Sequence, residues 1–157
     1  RDDTIFLGQT VAWPGTGMHD TFREVPEDKK IELPVFENTQ LGMSLGLALA
    51  GYLPISIFPR WSFLLCAMDQ LVNHLNQWEK MGGGAPRVII RTATPSRASN
   101  RLDPGPQHIG AYTAKIRDFV PNVQVVDLMF ARDVVPAYLQ AAEHLGPSLL
   151  VERQELY

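Results

Sequence analysis

Short apolar runs rich in branched residues recur along the chain at Ile5 to Leu7, Leu53 to Phe58, Arg87 to Arg91, Val123 to Leu128 and Ser148 to Val151, separated mostly by longer helical patterns. Strands buried on both faces read as near-continuous apolar runs, and helix-length connections join them as parallel neighbours. The alternation therefore predicts an α/β fold: a three-layer parallel sheet with helices on both faces. A chain of 157 residues fits one domain that can bury a continuous core without disulfides or a structural metal. No internal repeat or low-complexity linker divides it.

The helical patterns differ in kind. Gln40 to Gly51 is apolar almost all round and carries Gly42 and Gly46 four residues apart, which predicts a buried helix with a close-packing face. From Trp61 to Lys80 the residues Leu64, Leu65, Met68, Leu71, Val72, Leu75 and Trp78 repeat at three and four, and Gly82-Gly83-Gly84 ends what should be the longest helix. Cys66 lies in the apolar run Phe63 to Met68 and reads as a small buried hydrophobe. Asp133 to Leu145 is amphipathic, with Gly146-Pro147 stopping it before the last strand.

Two long irregular segments remain, Gln9 to Lys30 and Thr92 to Gly110, each following a predicted strand. In parallel sheets ligands sit beyond the carboxyl ends of strands, so function is to be sought there. Composition removes several classes. A formal charge of -3 supplies no field for nucleic acid. No stretch approaches the roughly 20 apolar residues that cross a bilayer. Arg1-Asp2-Asp3 is not the start of a secretion signal, and the lone cysteine suits a reducing compartment. The expected location is the cytoplasm, or an organelle matrix if a targeting segment has been removed. A GxGxxG turn is absent, and His19, His74, His108 and His144 are scattered without the ligand spacing zinc requires, so no metal site is assigned to this chain.

The segment Leu33-Pro34-Val35-Phe36-Glu37-Asn38-Thr39-Gln40-Leu41-Gly42 places a carboxylate at the mouth of an apolar helix. There Glu37 is costly without a partner. Taken alone, the pattern fits two readings: a carboxylate stabilised by the amide groups at a helix start, or a functional acid.

The run LPVFENTQLGMSLGLALAGYLPI resembles the segment that carries the cofactor-activating glutamate in the beta subunits of pyruvate, branched-chain 2-oxoacid and acetoin dehydrogenases. CAMDQLVNHLNQWEKMGGG, RVIIRT, GPQHIGAY, PNVQVVDL and PSLLVERQELY are similar to later segments of that family, in the same order. The resemblance covers nearly the whole chain and implies the thiamine-diphosphate-binding fold, with residues 1–157 forming one pyrimidine-binding, transketolase-like domain. Four departures stand out. A leading helix expected before Arg1 is absent, Gln9 stands where an acidic residue is common, the loop Thr94 to Asp103 holds arginines instead of mostly glycines, and the carboxy-terminal domain that usually follows a segment like Val151 to Tyr157 is absent.

The resemblance implies thiamine diphosphate as cofactor, with magnesium held by a partner subunit. Glu37 matches the glutamate that hydrogen-bonds the aminopyrimidine nitrogen opposite the amino group; a carboxyl withdrawn into an apolar site can share a proton with such a nitrogen. Phe63 matches the aromatic that stacks on the aminopyrimidine, and Pro59 and Trp61 are further cofactor-lining candidates, with Arg60 unresolved between roles. His108 matches a histidine near the reactive carbon, where an imidazole can move protons during acyl transfer. Gln107, Arg97 and Arg101 are substrate candidates, the arginines as ligands for carboxylate or phosphate. The implied function is the cofactor-activating subunit of a heteromeric 2-oxoacid dehydrogenase or decarboxylase, paired with a diphosphate-binding, alpha-type subunit in an assembly such as a heterotetramer. Two alternatives stay open: a subunit of a split transketolase or synthase, or a non-catalytic assembly subunit.

Overall fold

The computed structural model of the chain describes residues 1–95 and 105–156. In chain order these form β1 (Thr4–Gly8), α1 (Gly17–Asp20), β2 (Lys30–Glu32), α2 (Glu37–Leu49), β3 (Leu53–Ile57), α3 (Trp61–Leu64), β4 (Ile89–Thr94), α4 (Thr113–Phe119), β5 (Gln124–Asp127), α5 (Ala131–Glu143) and β6 (Ser148–Arg153). The strands make a six-stranded sheet in the order β2-β1-β3-β4-β6-β5, and every pairing is parallel. The sheet is covered on both faces, as the apolar runs require. On β4 and β6 successive residues point to opposite sides: Ile90 and Leu149 join the core formed with α2, α3 and α4, while Ile89 and Leu150 join the core under α5.

β2 was not foreseen. It has three residues, two of them charged, and pairs only with β1 at the sheet edge, so it carries no apolar run to betray it. The expected long helix from Trp61 to Lys80 stays right-handed helical at its internal junctions but changes its hydrogen-bond register along its length. After α3 the chain runs through a 3-10 turn at Leu65–Ala67, a π-type stretch at Gln70–His74, and 3-10 turns at Leu75–Gln77 and Glu79–Met81. Leu64, Leu71 and Leu75 are buried as the periodicity predicts, with Ala67 on the same stripe. Cys66 lies off that buried stripe and is exposed, which overturns its reading as a buried hydrophobe. The segment still ends at the glycines, Gly82 taking the left-handed conformation at φ 86°.

α2 begins at Glu37 and buries one face, formed by Glu37, Gln40, Leu41, Ser44 and Leu45. Its other face is not covered within the chain, since Met43, Gly46 and Leu49 are exposed. The two helix glycines also part company: a Cβ on Gly42 would meet Gln70 Oε1 at 3.3 Å, whereas Gly46 has open space around it. Among the described residues no helix is long and apolar enough to cross a membrane.

Candidate active site

The carboxyl ends of β1, β2 and β3 lie side by side at one edge of the sheet, and the residues that follow them carry most of the sequence candidates. β1 ends at Gly8, paired with Ile57. The strands approach so closely that a Cβ on Gly8 would sit 2.3 Å from Ile57 O, and its φ of +144° is one that side chains rarely adopt. The same carbonyl accepts from the fully buried Gln40 side chain at 2.9 Å, and Gln40 also donates to Ser56 Oγ at 3.1 Å. α2 is thus bolted to the end of β3 one turn after Glu37.

Beyond Gly8 the chain turns over the end of β2. There the Glu32 carboxylate accepts the backbone N–H groups of Thr10, Val11, Ala12 and Trp13 at 2.7, 2.8, 2.7 and 3.2 Å. Consecutive amides gathered round one anion hold a loop in a single shape, here against the positive φ of 60° at the β-branched Thr10. Fixing that loop fixes Gln9, whose Nε2 donates to Glu37 Oε1 at 3.0 Å.

Glu37 is the first residue of α2 and is 5% exposed. No side chain caps this helix start, so the carboxylate lies at its positive end with Gln9 as partner. Among the described residues Oε2 receives no hydrogen bond. One oxygen is held and the other has no partner among the described residues, so the carboxylate is fixed in direction from one side.

The second group follows β3. Pro59 and Arg60 are half-buried on the strand-to-helix turn, and Phe63 is half-buried within α3. Trp61 is fully buried instead, packed edge-on to Tyr112 with ring centroids 6.1 Å apart. Its indole N–H finds no partner among the described residues. His108, on a turn at Pro106–His108, comes to the same place: its ring stacks on Phe63 at 5.5 Å and 18°, and Nδ1 lies 2.6 Å from Ser62 Oγ. The structure therefore brings Phe63 and His108 together across 45 residues of chain. Gln107 is exposed beside them. Arg97 and Arg101 lie outside the described residues.

Sequence reasoning marked Gln9 only as a departure from a pattern and did not find its bond to Glu37; it missed Ser62 and Glu32 altogether. No local signal marked Glu32, because β2, which it ends, leaves no apolar run in the sequence. Also unforeseen is a buried ion pair under α5, where Arg91 Nε and Nη2 donate to Glu152 Oε2 at 3.0 and 2.8 Å, and Tyr138 donates to Glu152 Oε1 at 2.6 Å. These groups border a cavity of about 350 Å³, walled also by Phe6, Phe22 and Val134. Among the described residues no group of three or more histidine, cysteine or acidic residues could hold a metal ion.

No protein-family model matches the chain. It is similar over its whole length to the pyruvate dehydrogenase E1 component subunit beta of Rickettsia bellii, at 30% identity over 162 residues that cover 49% of that protein. The mitochondrial subunit of the same name from Drosophila melanogaster is 26% identical over 161 residues, covering 43% of it. The chain thus spans about half the length of the curated relatives it matches. Among solved structures, a split-gene transketolase described as an inactive beta4 tetramer superposes with a TM-score of 0.73 at 18% identity, over 98% of this chain and 46% of the other. A thiamin diphosphate-dependent enzyme from Mycobacterium smegmatis, described as putative, superposes with a TM-score of 0.71 at 22% identity, over 99% of this chain and 28% of the other. The chain shares the fold of these two structures, in agreement with the three-layer parallel architecture read from the sequence.

Proposed function

We propose that this chain is the cofactor-activating, pyrimidine-binding portion of a heteromeric thiamine-diphosphate-dependent 2-oxoacid dehydrogenase or decarboxylase. The observation that carries the reading is Glu37: a carboxylate buried at the start of an apolar helix, turned by Gln9 so that one oxygen is engaged and the other is not. A purely structural glutamate at a helix start is ordinarily solvated, and desolvating this one is costly unless the free oxygen has a use. The likeness to E1 beta subunits over the whole chain supplies that use.

The residues fit the pyrimidine end of the cofactor and not its diphosphate. Glu37 Oε2 would meet the ring nitrogen, the half-buried Phe63 the ring face, and Pro59 the rim. When bound, thiamine diphosphate supplies the carbanion chemistry of 2-oxoacid decarboxylation. Glu37 holds or releases a proton at Oε2, and His108 moves a proton during transfer of the acyl unit. Buried Trp61 supports Tyr112 and the start of α3 from beneath. Gln107, Arg97 and Arg101 remain the substrate-side candidates.

A diphosphate needs magnesium or a cluster of amide donors to repay its desolvation. The chain contains no Gly-Asp-Gly sequence, and the converging amides of Thr10 to Trp13 are already filled by Glu32. A diphosphate-binding, alpha-type partner that holds magnesium completes the site, and the working assembly is a hetero-oligomer in the cytoplasm or an organelle matrix. Titration calorimetry tests this directly. The chain alone should show little heat with thiamine diphosphate and magnesium, and binding should appear once the partner is added; micromolar binding with turnover by the chain alone would sink the two-subunit reading.

A further inference from the structure

Ser62 is the one side chain among the described residues that hydrogen-bonds His108. It is the second residue of α3, and its neighbour Phe63 supplies the ring on which the imidazole lies. Two contacts therefore fix His108 from a single short helix: stacking sets the plane of the ring, and the bond at Nδ1 sets its rotation within that plane. With Nδ1 turned toward α3, Nε2 on the far side of the ring is directed away from it.

The direction of the bond follows from what each partner has to offer. A serine hydroxyl carries one proton, and among the described residues His108 Nδ1 is the only partner within reach of Ser62 Oγ. If Nδ1 carried the imidazole proton and donated, the hydroxyl proton would have no acceptor among those residues at a half-buried position. If the hydroxyl donates, the neutral imidazole must carry its proton on Nε2, on the side of the ring turned away from α3, where solvent or a ligand can accept it.

From this geometry we propose that Ser62 is a positioning residue for the candidate site, donating to Nδ1 of His108 and so fixing the imidazole as the Nε2–H tautomer that faces the reacting centre as a proton donor. The proposal rests on the reading of His108 as the proton-handling residue, and it adds which nitrogen does the handling and what sets it. A hydrogen bond of ordinary net strength biases such an equilibrium by roughly five- to tenfold beyond the intrinsic preference of the ring. Replacing Ser62 returns His108 to the mixture shown by a free imidazole and releases its rotation.

Nitrogen NMR of the whole chain labelled at histidine reads the tautomer without cofactor, partner or turnover, with the His108 signals assigned by their loss in His108→Gln. In the parent, at a pH where His108 is neutral, Nδ1 should resonate as an unprotonated acceptor and Nε2 as an N–H. Ser62→Ala should move both signals toward the free-imidazole mixture, while Ser62→Thr, which keeps the hydroxyl, should restore the parent positions. A proton found on Nδ1 in the parent, or signals unmoved by Ser62→Ala, would overturn the inference. Turnover of the assembled enzyme separates it from the broader reading. If Ser62→Ala shifts the tautomer and leaves acyl transfer unchanged, the bond stands and the role of His108 in the proposed reaction fails.

Discussion

Gly8 holds the two halves of the candidate site in register, and replacing it by alanine tests whether the close approach of β1 and β3 matters. A Cβ there would stand 2.3 Å from Ile57 O, against a closest usual carbon–oxygen approach of roughly 3.3 Å. Relief requires about 1 Å of movement between two paired strands, enough to carry a backbone hydrogen bond beyond its useful range. Ile57 is fully buried and its carbonyl already holds Gln40, so the movement would pull on α2 as well. The φ of +144° adds backbone strain of about 1–3 kcal/mol for any side chain. One compromised buried hydrogen bond adds about 1–3 kcal/mol. Taking about 3 kcal/mol as the sum, and about 2–4 °C per kcal/mol for a chain of this size, Gly8→Ala should melt about 6–12 °C below the parent. Thermal unfolding followed by circular dichroism measures this. The displaced loop should also take Gln9 from Glu37, so turnover with the partner subunit should fall beyond what the lost stability explains. Melting within about 2 °C of the parent would show that the strands accommodate the methyl group and that the approach at Gly8 positions nothing.

Glu37→Gln keeps the shape and removes the ionisable group, so turnover at saturating cofactor should fall at least about a hundredfold with the melting temperature nearly unchanged; activity within a few-fold of the parent would end the proposed role of Glu37. Gly46→Ala fills open space on the exposed face of α2 and should stabilise the isolated chain by about 0.5–1 kcal/mol. If that face meets a partner subunit, the same change should weaken association measured by sedimentation, and stronger melting without weaker association would move the contact elsewhere. Arg91→Met leaves Glu152 buried without its guanidinium and should cost about 3–5 kcal/mol in chemical denaturation. Arg91→Met combined with Glu152→Leu should recover much of that loss, and additive losses would mean that the pair is not coupled.

How far the sequence could be read follows from the range of each interaction. β1, β3, β4, β5 and β6 were legible because a strand covered on both faces leaves a continuous apolar run, whereas β2 is held by pairing alone and leaves none. The helical period between Trp61 and Lys80 was legible, but residues three and four apart look alike in α, 3-10 and π geometry, so the changes of register were not; Cys66 was misread from its apolar neighbours although it lies off the buried stripe. Glu37 was visible because its cost is local: a carboxylate preceding an apolar helix. Its partner was not, since Gln9 lies 28 residues away. The same holds for Ser62 and His108, 46 residues apart, and for Arg91 and Glu152, 61 apart. Resemblance marked Phe63 and His108 as neighbours of one ligand, but the stack between them and the serine that turns the imidazole depend on how the chain returns after β4.

The features that build the site share a physical character. Gly8 weakens a strand, Glu32 puts a charge at a sheet edge, Thr10 takes a conformation β-branched residues avoid, and Glu37 opens an apolar helix with a buried acid. Each breaks a local rule of folding, and each is compensated by a specific partner rather than by general burial: Ile57, four backbone amides, Glu32 and Gln9 respectively. Such violations gather at the carboxyl ends of adjacent parallel strands, where a sheet of this kind binds its ligands. The buried ion pair of Arg91 and Glu152 offers the contrast. It too is costly to bury, yet its charges are spent on each other and on Tyr138, and both Glu152 oxygens accept hydrogen bonds, whereas among the described residues Glu37 Oε2 accepts none. A group whose hydrogen bonds are completed inside the chain stabilises the fold, whereas one held from a single side is prepared for something that arrives.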